Sequence, residues 1–152
     1  MKKLFVIIFT VILAISASFA VPLGKQEMKT LANLDGNLEL HLSKNSETLE
    51  KDKAFLLAFI EKAKEVKNPE WKAAAATFMV DYAAEISSLE KLVNAENELH
   101  ETAAIALKKK DLDIGKYNGL VQKCNKLVKE YNNAIDKAEK SFAALEEISS
   151  SL

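Results

Sequence analysis

From Trp71 to Leu107, apolar side chains return mostly every three or four residues: Trp71, Ala75, Phe78, Tyr82, Ile86, Leu89, Leu92, Val93, Leu99, Ala103 and Leu107. A strand would send alternate residues to one face. This spacing instead lays a stripe along one side of an α-helix. No Gly or Pro falls between Pro69 and Gly115, so no residue in the interval ends the helix early. A helix this long cannot hide its own stripe; it needs partners of similar length.

Two further stripes supply them. The first runs Met28, Leu31, Leu38, Leu42, Leu49, Leu56, Phe59, Ala63 and Val66, on a helix from about Gly24 to Lys67, with Leu34, Phe55 and Ile60 widening it. Three of its positions are polar (Asp35, Asn45 and Asp52), and Gly36 lies inside it. The last runs Tyr117, Leu120, Val121, Cys124, Leu127, Val128, Tyr131, Ile135, Ala138, Phe142, Leu145 and Ile148, without an acid or amide at any stripe position. This third stripe is expected to pack best. Between the first and second helices, Asn68-Pro69-Glu70 offers an N-cap, a proline suited to the first helical position and an acid in the first turn. Between the second and third, Lys108, Lys109 and Lys110 suit the negative end of a helix dipole, and Asp111 or Asp113 can cap the next helix. Gly115 and Gly119 loosen its first turns.

These signals predict an all-α fold, an elongated antiparallel up-down-up three-helix bundle with each helix about 60 Å long at the α-helical rise. The alternative is a four-helix bundle, formed if the first helix breaks near Asn45-Ser46, since both residue types cap helices well. The continuity of the stripe through that point favours three. Heptad spacing also suits pairing between chains, so a homodimer is a candidate state.

Met1-Lys2-Lys3, the apolar run Leu4 to Ile15 and the small residues Ser18 and Ala20 read as a secretory signal peptide, residues 1–20, cut after Ala20. A secreted, extracellular product of one domain, residues 21–152, is expected, with no membrane span once the signal is removed. Losing Lys2 and Lys3 takes the formal charge from −1 to −3. All 21 cationic side chains are Lys, and neither that nor the slight acidity fits nucleic-acid recognition. The lone Cys124 allows no bridge within the chain, so packing alone must hold the core; a bridge between chains stays open. No Asn-x-Ser/Thr sequon is present.

Catalytic signatures are sparse. Glu96 and His100 lie four apart, the spacing of two metal ligands on one helix face. With so few further ligand types the pair reads more simply as a solvated helix face, and no metal or cofactor is expected. His41 reads as a border residue, and Cys124, mid-stripe, as a small core hydrophobe. Glu85 and Glu96 fall near the second stripe, but no Glu-x-x-His motif accompanies them. The chain carries no Gly-rich phosphate loop and no Gly-x-Ser-x-Gly elbow. A non-enzymatic protein is expected.

The segment Lys108 to Asn118, KKKDLDIGKYN, resembles the connection between the second and third helices of the mite group 5 and group 21 allergens. Lys109, Asp111, Leu112, Asp113, Ile114, Tyr117 and Asn118 stand in the places of that motif. The order of parts is also similar, from signal peptide through a Pro-containing turn to the last helix. Gly115 and Gly119 depart from the motif, and the first two helices here are longer. The resemblance implies a secreted three-helix bundle that often dimerises and encloses an apolar cavity, with no catalytic residues.

The aromatic residues carry the functional expectation. Phe55, Phe59, Trp71, Phe78, Tyr82, Tyr131 and Phe142 lie on or beside stripes and are interleaved with runs of alanine. Large residues beside small ones either interdigitate or leave space. The second outcome gives an apolar lining for a hydrophobic small molecule or lipid held in the core seam. The competing expectation is a secreted interaction or self-associating protein without a ligand.

Overall fold

A computed structural model of the protein describes residues 20–151. The signal-peptide expectation concerns residues 1–20, of which all but Ala20 lie outside the described residues. The chain folds as a three-helix bundle: α1 spans Lys25–Glu65, α2 Pro69–Lys109 and α3 Ile114–Ser150. A short extended segment, β1 (Ala20–Pro22), precedes α1, and another, β2 (Asp111–Asp113), joins α2 to α3.

The connections follow their sequence signals. Asn68, extended as a residue before proline must be, accepts the Trp71 backbone N–H on Oδ1 at 2.8 Å, and Pro69 opens α2. At the far end Lys110 turns the chain in the left-handed region, φ 59°, after Lys108 and Lys109 fill the last turn of α2. Of the two candidate caps for α3, Asp113 serves: its Oδ1 accepts the Lys116 N–H at 2.9 Å.

One alternative left by the sequence is settled in favour of the three-helix expectation, and one expectation changes. First, α1 is continuous through Asn45-Ser46, so the four-helix alternative does not arise. Asn45 does not cap a helix; it is buried and hydrogen-bonds across the bundle. Second, the sequence offers no convincing strand, yet β1 and β2 pair antiparallel, with Val21 opposite Leu112 and Pro22 opposite Asp111. Leu23 extends the ladder by donating to the Lys110 carbonyl at 2.9 Å. Pro22 thus falls between ladder-bonded positions, where a missing N–H costs nothing. Three-residue strands are too short to show alternation, which is why the pattern gave no warning.

The core divides into two apolar clusters. One, toward the α1–α2 turn, gathers Leu49 from α1, Phe78, Leu89 and Leu92 from α2, and Val128, Tyr131 and Ile135 from α3. The other, toward the sheet, gathers Leu31 and Leu38, Leu99 and Ala103, and Tyr117, Val121 and Cys124, with Leu112 of β2. Leu127 packs against both. The α2 helix is the central member: it lies close along both α1 and α3, whereas the backbones of α1 and α3 scarcely approach each other.

Two stability measurements test this account. Leu99 is wholly buried in the sheet-side cluster, and Leu99→Ala is expected to lower the unfolding free energy by about 3 kcal/mol in urea denaturation. Lys110→Gly should raise it by about 0.5–1 kcal/mol, because glycine occupies the left-handed region without the steric cost borne by lysine.

Candidate ligand-binding groove

The wider spacing of α1 and α3 leaves a groove floored by α2. There a pocket of about 500 Å³ is lined by Lys51, Asp52 and Phe55 of α1, Phe78, Tyr82 and Glu85 of α2, and Ile135, Ala138, Glu139 and Phe142 of α3. Three helices contribute because each turns an aromatic or small residue of its stripe to the same level. Phe55 and Phe142 stand at the mouth, 45% and 37% exposed, while Asp52, Glu85 and Ala138 are buried.

Six of the seven aromatic residues singled out in the sequence form one continuous ring network. Phe78 is its hub, with ring centroids 5.0 Å from Phe59, 5.1 Å from Phe142 and 5.4 Å from Tyr82. Phe55 meets Tyr82 edge-on at 5.3 Å, and Phe59 stacks on Trp71 at 6.1 Å. Such contacts add to area burial and fix the orientation of the wall. Phe55, Phe78, Tyr82 and Phe142 line the pocket; Phe59 and Trp71 sit behind that wall, the Trp71 indole donating to Ser149 Oγ at 2.9 Å. Tyr131 is set apart from the lining: it is wholly buried in the core.

The polar stripe positions of α1, unexplained by the sequence, each meet a partner on α2. Asp35 Oδ1 lies 2.8 Å from His100 Nδ1. Asn45 donates through Nδ2 to both carboxylate oxygens of Glu96, at 3.1 and 2.9 Å. Asp52 Oδ1 accepts the Tyr82 hydroxyl at 2.8 Å. The reading of Glu96 and His100 as a solvated face therefore fails for Glu96, which is 1% exposed at the junction of the two apolar clusters. Helical spacing placed the two side chains on neighbouring paths, but they reach different α1 residues. Among the described residues no three His, Cys, Asp or Glu side chains group as a metal site.

Burial governs the titration of these groups. It raises Glu96 to about 7, against the opposing effect of the Asn45 hydrogen bond. Burial, assisted by the Asp52 hydrogen bond, holds the Tyr82 proton firmly in place. Cys124 is pushed up to about 12, first by burial and then by the charge of Glu96. A thiol so placed is a core hydrophobe, and a bridge between chains would require the core to open. His41, at intermediate exposure, is lowered by burial and by Lys44.

Sequence reasoning found the aromatic wall through its helical spacing. It missed Lys51, Asp52, Glu85, Ile135, Ala138 and Glu139 as lining, although Asp52 on an apolar stripe and Glu85 beside one were visible signals. Comparison with protein-family models, curated proteins and solved structures finds no match to this chain.

The buried acid gives a pH test. The folded-state value of Glu96 lies above its ordinary 4.5, so its favourable contribution is complete below about 4.5 and is lost as pH rises through about 7. Glu96→Gln is expected to raise stability at pH 8 by up to about 3 kcal/mol and to leave it nearly unchanged at pH 4. Urea unfolding across that range measures both.

Proposed function

We propose that this chain is a secreted, non-enzymatic binding protein that takes an apolar small molecule or lipid into the groove between α1 and α3. The observation that carries the reading is the aromatic-walled pocket of about 500 Å³ to which all three helices contribute. Its volume lies within the range of sites that hold small organic ligands, and its composition, mainly apolar with a few convergent polar groups, is what such sites use. The flanking helices α1 and α3 scarcely approach each other, so the groove between them is open to an incoming molecule. The resemblance of Lys108 to Asn118 to the mite allergens is consistent with an apolar cavity, and membership of that family is part of the proposal.

No helix among the described residues is long and apolar enough to cross a membrane.

Native mass spectrometry of secreted material, before and after organic extraction, tests the reading. A bound mass that disappears on extraction is the expected result; a ligand-free dimer would favour self-association instead. Phe142→Ala opens the mouth at a half-exposed position and should weaken retention of the bound mass about tenfold, the effect of losing roughly one aromatic contact surface.

A further inference from the structure

The charge of the pocket selects among apolar ligands. Three carboxylates line it, from Asp52, Glu85 and Glu139. Asp52 and Glu85 are 2% and 3% exposed and belong to its inner end, whereas Glu139 is exposed at the rim. Lys51 is the one cation among the described lining residues. Its side chain is 71% exposed and pairs with Glu47, one turn back on the same helix. Acids are the only ionisable side chains of Asp, Glu, Lys or His type buried among the described residues, so the inner end of the groove is electronegative.

The geometry refines that picture. The Tyr82 hydroxyl donates to Asp52 Oδ1 and so fixes the plane of that carboxylate. Glu85 follows Tyr82 by three residues on α2, nearly one turn, and lines the same pocket. One turn from Ile135 on α3, Tyr131 is wholly buried, and its hydroxyl has no hydrogen-bond partner among the described residues. Burial, and then the charges of Glu85 and Asp52, hold its proton in place. The inner end therefore presents two carboxylates, while Phe55, Phe78, Ile135, Ala138 and Phe142 line the rest of the pocket and Tyr131 stays in the core behind the lining.

We infer that the preferred ligand is a cationic amphiphile, an organic ammonium whose head sits at the Asp52–Glu85 end and whose apolar body lies along the aromatic wall. An ammonium brings donors to acceptors and offsets their charge in a partly dry site, where pairing is worth more than in water. The faces of Phe55, Phe78 and Tyr82 add attraction for a cation close to a ring. A fatty-acid head at the same place would set carboxylate against carboxylate, a repulsion that the exposed, already paired Lys51 is poorly placed to relieve. The inference rests on the groove being a ligand site, and it names the head group that the groove takes.

The test compares dodecylammonium, dodecanol and dodecanoate below their aggregation concentrations. Trp71, the single tryptophan, sits on the ring network and reports binding by fluorescence, with calorimetry as a second measure. The expected order is ammonium, alcohol, carboxylate, with at least about tenfold between the first and last, the effect of one net charge interaction in a partly buried site. Asp52→Asn, which keeps an acceptor for Tyr82, and Glu85→Gln should each narrow that ratio. Glu139→Gln, at an exposed position that cannot threaten the fold, should narrow it less. Equal binding of all three compounds, or a preference for dodecanoate, overturns the cation inference while leaving the apolar groove standing. Binding of none overturns the groove itself.

Discussion

Three apolar stripes, each running most of the length of a helix of about 40 residues, must be kept from water without a covalent link. The single cysteine is buried and free, so cohesion comes from burial of side chains such as Leu31, Leu38, Leu89, Leu92, Leu99, Val121 and Tyr131. Everything else follows from that requirement. The two turns are short because the helices must return along one another. Their caps are specific because an uncapped end would leave orphan backbone groups beside the core.

Apolar contact alone is permissive about axial position, since a leucine stripe can slide by a turn against another leucine stripe at modest cost. The cross-helix polar contacts remove that freedom. Asp35 with His100, Asn45 with Glu96 and Asp52 with Tyr82 tie α1 to α2 at three levels, and a one-turn slip would leave buried polar groups without partners. Such groups add little net stability and much specificity, the role best attested for buried polar residues in coiled coils. The Asn45–Glu96 contact also divides the core, with the aromatic cluster on one side and the sheet-capped cluster on the other.

The groove arises from an asymmetry in this arrangement. Because α2 is packed closely on both neighbours and α1 and α3 are not packed closely on each other, one side of the bundle stays open. Aromatic side chains are large enough to reach partway across the gap. Ala138 on α3 is too small to complete the closure, so space remains between Phe55 and Phe142. The same gap exposes Asp52 and Glu85 to the pocket while leaving them shielded from bulk solvent.

Helical period, the Asn68-Pro69 start and the charged turn before Asp113 were readable one residue at a time, because each acts over a few positions of the chain. They determined the helix count, the approximate ends and the aromatic candidates for the site. The outcome at Asn45, Glu96 and Asp52 was not readable in this way. Each of these residues is ordinary in a local window and becomes informative only beside a residue 30 or 51 positions away. The pairing of β1 with β2 and the separation of Tyr131 from the pocket lining were likewise decided by tertiary structure. A stripe states which face is buried, but which neighbour that face meets, and whether the fit leaves space, depends on the spacing of all three helices at once.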